Sequence, residues 1–156
     1  PARLHGLLVI DKPAGFTSHD VVAKIRRITG ERKVGHAGTL DPMATGVLPV
    51  AVGDATRVIE YLAGASKAYR AEVTFGVATD TLDAEGRVTA VDPDVDLDRE
   101  TLERVLSSFL GAFNQLPPMH AAIKIGGVRL YELARQGQEI GRPARPVGAK
   151  IPERSR

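Results

Sequence analysis

Residues 33–49 read KVGHAGTLDPMATGVLP and contain one carboxylate, one imidazole and three glycines. No apolar recurrence at the helical or the strand spacing runs through them. A stretch of this length without either period cannot be one buried helix or strand, so it must contain an ordered loop. Binding and catalytic groups concentrate on loops that a rigid scaffold holds. The elements on either side decide what that scaffold is.

Upstream, residues 7–10 form a short apolar run followed by DKPAGFTS, where Pro13 and Gly15 mark a turn. Thr17 or Ser18 can cap a helix that continues to about Thr29. Val21, Val22, Ile25 and Ile28 share one face of it, and Gly30 is a natural stop. Downstream, residues 47–52 read as a buried strand and 55–62 as a short helix opening near Asp54. In KAYRAEVTFGV, Tyr69, Ala71, Val73, Phe75 and Val77 alternate with Arg70, Glu72 and Thr74, the pattern of a strand with one apolar face. A turn at Glu85 and Gly86 leads to another short strand. Asp98 then caps a helix with the face Leu102, Val105, Leu106 and Phe109, and Gly111 is its stop. The run AAIKIGGVRLYELARQG allows a strand, a turn at Gly126 and Gly127, and a helix ending at Gly137; GRPARPVGAKIPERSR then has no amphipathic pattern. Alternating helices and strands predict a mixed α/β or α+β sheet.

Composition narrows the chemistry. The 156 residues suffice for one domain with a sizeable core, and that core must be aliphatic, because Trp is absent and Phe and Tyr are few. Zero Cys excludes disulfides, thiolate catalysis and Cys-based zinc sites and suits a cytoplasmic location. No apolar run is long enough to span a bilayer, and the first ten residues lack a signal-peptide core. The net charge is only +2, but Lys24, Arg26, Arg27, Arg32 and Lys33 crowd the approach to residues 33–49, while acids gather in DPDVDLDRE. Such separation suits a phosphate-rich ligand near the loop, or simply a solvated helix face.

Within the loop, Pro42 pushes Asp41 toward extended backbone, so that its carboxylate projects from a constrained turn. It can serve as nucleophile or general base, or bond its own backbone in an Asx turn. His36, flanked by Gly35 and Gly38, sits where backbone can approach a ligand closely. No paired histidines at helical spacing support a metal, and neither a phosphate-cradling glycine motif nor a serine-hydrolase elbow occurs. An enzyme built this way is expected to use a carboxylate on a nucleic acid, without cofactor or metal.

Several blocks together carry a resemblance. GHAGTLDPMATGVLP, preceded by VIDKPAGFTSHDVV and followed by KAYRAEVTFGVATDTLDAEG, PPMHAAIKIGGVRLYELARQG and RPARPV, resembles the TruB-type tRNA pseudouridine-55 synthases in order and spacing, from about Leu7 to Val147. The resemblance implies an α+β catalytic-domain fold, with a central mixed, mainly antiparallel sheet flanked by helices. It also implies isomerisation of a T-loop uridine in the T-arm of tRNA by a cytoplasmic enzyme without cofactor or metal. Asp41 takes the place of the aspartate nucleophile, attacking the uracil ring or the ribose anomeric carbon. The target base must leave its stack to reach it. His36 matches the loop histidine among the T-loop bases, Tyr69 the tyrosine that stacks on the target uracil, and Asp83 a supporting acid. Lys33 and Gly35 belong to the same RNA-facing segment, and Lys12 and Pro13 to a scaffold block beneath the loop.

The resemblance also has edges. The family's later KGTYIR-like strand, whose arginine pairs with the catalytic aspartate, has no counterpart here, nor does its C-terminal PUA-type domain. The expected organisation is therefore the N-terminal portion of a catalytic domain over residues 1–147, a divergent, disordered tail over 148–156, and a fold incomplete at its C-terminus. Weak or no activity alone is expected of such a chain, and a monomer if complete. The alternative is a non-catalytic T-arm-binding fragment that needs a complementing partner chain.

Overall fold

The structure, a computed structural model, describes residues 3–117, 124–130, 133, 137 and 140–151. Contacts divide the chain into two units, Pro1–Tyr69 and Arg70–Arg156.

In the first unit, strand β1 (Gly6–Lys12) leads through a turn into helix α1 (Ser18–Thr29), which is followed by strands β2 (Val34–His36) and β3 (Gly46–Val52). A 3-10 turn (Gly53–Val58) then runs into the short helix α2 (Ile59–Ala63), where the sequence predicts one continuous helix. The three strands form an antiparallel sheet with β3 in the middle; Ile10 lies opposite Leu48, and His36 opposite Val50. Alternation along β3 sends Leu48, Val50 and Val52 to one face, where they meet Val21 and Val22 of α1 and Val34 of β2, with Ile10, Ile25 and Leu40 packed at the margin. The opposite face carries Leu7, Val9 and Val47, all exposed.

α1 forms where the sequence places it, and its start settles the choice between two caps. Thr17 is the N-cap: its hydroxyl accepts from the Asp20 N–H at 3.0 Å, and Asp20 accepts from the Thr17 N–H at 2.8 Å, a reciprocal capping box. Gly30, at φ 67°, closes the other end with its N–H on the Arg26 carbonyl. Ile28 is exposed, contrary to its predicted place on the buried face. Periodicity puts a residue on a face, but only a partner buries it: Ile25 packs on the core one turn earlier, whereas Ile28 stays exposed.

Hydrogen bonds from the Thr17 hydroxyl and then from its backbone N–H hold the Asp20 carboxyl below its ordinary value of 3.8. A carboxyl lowered in the folded state contributes stability above its unfolded value and loses it as pH falls through the folded one. The stability advantage of the native protein over Asp20→Asn is therefore expected to be full near neutrality and to shrink once pH drops below 3.8. Urea midpoints of both proteins between about pH 6 and about pH 2 check this, and a gap that stays constant would refute it.

The second unit contains β4 (Val77–Thr79) paired with β5 (Val88–Val91), helix α3 (Arg99–Ser108), β6 (Gly111–Gln115) paired with β9 (Arg145–Ala149), and the hairpin of β7 (Lys124–Ile125) and β8 (Val128–Arg129) across Gly126 and Gly127. Every strand pair among the described residues is antiparallel, and the α+β class stands. Pairing in β9 includes Gly148 and Ala149, two residues into the stretch read as a tail.

Three expectations in this unit are corrected. Residues 69–74 are not a strand, and only Val77 at the end of the alternating run enters a ladder. An alternating pattern specifies a face, but a strand also needs a neighbour for its N–H and C=O groups, and 69–74 have none among the described residues. Asp98 caps α3 as predicted, accepting from the Thr101 N–H at 2.7 Å, but the helix closes at Phe109 and Gly111 instead opens β6. Val105, Leu106 and Phe109 are exposed rather than buried: Phe113 of β6 meets the Phe109 ring edge to face, centroids 6.0 Å apart, but that one contact does not cover the stripe. The helix predicted to end at Gly137 lies largely outside the described residues.

Candidate active site

The loop over residues 37–45 joins β2 to β3, and two anchors hold it on either side of Asp41. The first is Lys12, the last residue of β1, which is completely buried. Its ammonium donates to the carbonyls of Pro13 at 2.9 Å, Phe16 at 2.6 Å and Pro42 at 3.2 Å. A buried ammonium is costly unless all three N–H groups are satisfied, and three carbonyls satisfy them. Gly15 adds a second tie to the same residue, its N–H donating to the Pro42 carbonyl at 2.8 Å. Gly15 sits at φ 82°, which a side chain would resist, so the turn that reaches Pro42 needs glycine.

The second anchor is Ser18, at the start of α1. Its Oγ accepts from the Leu40 N–H at 3.0 Å and lies 3.4 Å from the Leu40 carbonyl, to which it donates. The Leu40 side chain packs against the core at the same point. Asp41 therefore sits between a residue pinned by a serine and a residue pinned by a lysine. The Ala44 N–H closes the turn on the Asp41 carbonyl at 3.0 Å. Asp41 itself is exposed, and among the described residues its carboxylate has no hydrogen-bond partner, so no Asx turn occupies it. The scaffold assignment of Lys12 and Pro13 agrees with this geometry; the part played by Ser18 was missed, because sequence left it as one of two caps. A threonine three residues before Asp20 was the signal that freed the serine for other work.

His36 ends β2, its Nδ1–H donating to the Gly38 carbonyl at 2.6 Å. The ring stands edge to face with His19 of α1, centroids 5.3 Å apart and planes at 80°. Sequence reading did not single out His19, because residues seventeen apart on different elements show no shared pattern. Gly35 lies opposite Ala51, and a Cβ there would come within 2.7 Å of Ile59 Cδ1, so its bare backbone lets α2 approach. Lys33 is exposed, with its ammonium 3.7 Å from an Asp54 oxygen and its carbonyl accepting from the Gly53 N–H. An exposed pair of that length contributes little to stability.

Tyr69 and Asp83 are the remaining expected site residues. Tyr69 closes the first unit and is 67% exposed; its predicted position on a strand's apolar face does not occur, for the want of a partner strand described above. Asp83 belongs to the second unit and organises its own turn, accepting from the Thr81 hydroxyl at 2.6 Å and the Glu85 N–H at 3.0 Å. Leu82 beside it is held at φ 64°. Among the described residues, no helix is long and apolar enough to cross a membrane.

The architecture is shared with a chain in the crystal structure of a Cbf5–Nop10–Gar1 complex, at 31% identity and a TM-score of 0.52 over 76% of this chain and 31% of that one. A family model, TruB family pseudouridylate synthase (N terminal domain), matches residues 26–151, and the chain belongs to that family. Among its curated relatives, the tRNA pseudouridine synthase B of Symbiobacterium thermophilum is 55% identical over 94% of this chain and 49% of that protein. Those of Heliobacterium modesticaldum and Streptococcus thermophilus are 52% and 51% identical over 94% and 92% of this chain, and 48% and 49% of theirs. The chain spans about half the length of the curated relatives it matches.

Proposed function

We infer that this chain carries the nucleophile-bearing part of a tRNA pseudouridine synthase acting in the cytoplasm on the T-loop uridine. The observation that supports this most directly is the double anchoring of Asp41: a carboxylate exposed to solvent on a loop whose preceding and following residues are both tied to the scaffold. In the proposed reaction the N1–C1′ bond breaks, a C5–C1′ bond forms, C5 gives up its hydrogen and N1 takes a proton, with no net oxidation. Asp41 attacks the uracil ring or C1′ and is released at the end. His36, held by Gly38 and flanked by His19, supplies a flat surface for unstacked bases, and Tyr69 another. Asp83 supplies electrostatic support. Gly35 keeps backbone close to the RNA.

Lys24, Arg27, Arg32 and Lys33 are exposed on and just after α1, and they supply phosphate contacts. Reversing two of these charges, Lys24→Glu with Arg27→Glu, is expected to weaken T-arm binding about tenfold or more at moderate salt and to flatten its salt dependence. Filter binding at several salt concentrations reads both quantities, and an unchanged salt slope would count against phosphate contact by α1.

The reaction is tested by tritium release from C5-labelled uridine in a T-arm RNA, with protein in excess. One arm uses this chain alone, and a second adds the remaining half of the Symbiobacterium relative in trans. Release in either arm that disappears with Asp41→Ala supports the reading, with the slower rate expected for the chain alone. Binding without release in both arms would replace it with a T-arm-binding fragment.

A further inference from the structure

We propose that Ser18 is a positioning residue for the reaction, setting Asp41 through the backbone of Leu40; this rests on the reading of Asp41 as the nucleophile. Three observations converge on it. Thr17 takes the whole task of capping α1, so the Ser18 hydroxyl is not needed at the helix end. The Ser18 side chain is almost completely buried, as few polar side chains are among the described residues. Its hydroxyl meets both polar groups of one residue distant in sequence, the N–H and the carbonyl of Leu40, immediately before Asp41.

The consequence is geometric. The Leu40 side chain is already placed by the core, which leaves rotation about its backbone as the freedom that would swing Asp41. A hydroxyl that donates to one end of the Leu40 unit and accepts from the other removes that freedom. Lys12 and Gly15 act on the far side, at Pro42, so neither can substitute for Ser18 on the near side. A nucleophile displaced by about 1 Å loses on the order of 100-fold in rate while substrate contacts elsewhere are kept. Removal of the hydroxyl should therefore lower kcat and spare KM, whereas a general loss of fold would move both.

The experiment compares the native protein with Ser18→Ala, Ser18→Thr and Asp41→Ala in two readouts. The first is amide hydrogen exchange at Leu40, which reports the bond without catalysis. The second is the tritium-release assay in whichever arm is active. Expected results are faster exchange at Leu40 and a fall in kcat of about 10- to 100-fold with KM within about twofold in Ser18→Ala, both reversed in Ser18→Thr. Unchanged exchange at Leu40, or a kcat that does not fall, overturns the proposal, as does a parallel loss in kcat and KM that threonine fails to restore. If release does not depend on Asp41, the reading of the reaction fails instead, and exchange at Leu40 still decides whether Ser18 holds the loop.

Discussion

Replacing Lys12 by methionine is expected to lower the unfolding free energy by about 2–3 kcal/mol and to depress tritium release together with it. Methionine keeps the apolar stem of the side chain and removes only the ammonium, so the loss is that of three hydrogen bonds to the carbonyls of Pro13, Phe16 and Pro42. Two opposing effects set the size. Each abandoned acceptor costs roughly 1–3 kcal/mol if it stays dry, but the Pro42 carbonyl keeps the Gly15 N–H, and Pro13 and Phe16 are exposed residues where water can reach part of what is vacated. Removing the buried charge also returns its desolvation cost. A buried ion pair exchanged for apolar groups often breaks even because both charges leave together. Here the acceptors are main-chain carbonyls and remain. Urea denaturation measures the stability loss, and a shift below about 0.5 kcal/mol would show that the ammonium is not holding the turn.

Asp41→Ala is expected to behave in the opposite way: release falls by on the order of 10⁴-fold or more, the scale seen when a covalent nucleophile is removed, while stability and T-arm affinity hold. The basis for the separation is structural. The Asp41 carboxylate is exposed and bonds to none of the described residues, so deleting it leaves no orphaned partner and opens no cavity. Its backbone keeps every restraint, since these act on Leu40 and Pro42 and on its own carbonyl. Equal urea midpoints and equal filter-binding curves, with release reduced to background, are the expected set. Residual release within about tenfold of native would remove Asp41 from the role of nucleophile.

The contrast between these two variants separates what the scaffold does from what the chemistry needs. Lys12 is completely buried and far along the sequence from Pro42, and its loss is expected to act on stability and rate together. Asp41 is next to Pro42, which Lys12 holds, yet its carboxylate bonds to none of the described residues, so its loss is expected to leave folding unchanged. Under the proposed reading, the reactive group is thus free of structural duties.

Local signals in the sequence determined a good deal. The continuous apolar content of residues 47–52 specifies β3, and the spacing of Val21, Val22 and Ile25 between Thr17 and Gly30 specifies α1, because such elements are chosen by neighbours within a few residues. Asp98 marks the start of α3 for the same reason. The order of the motif blocks, with Asp41 at their centre, was enough to place the chain in its family.

Tertiary structure alone decided the rest. Whether Ile28, the α3 stripe and residues 69–74 are covered depends on partners that no local pattern names, and here they stay exposed or unpaired among the described residues. The resemblance assigns Lys12 to a scaffold block, but only the meeting of its ammonium with Phe16 and Pro42 explains why it is buried. Ser18 reads as an alternative cap, and only the approach of Leu40 across twenty-two residues gives its hydroxyl a second purpose. Sequence periodicity reports which side of an element a residue occupies. What stands on that side, and hence where Asp41 is held, is settled by contacts between residues far apart in the chain.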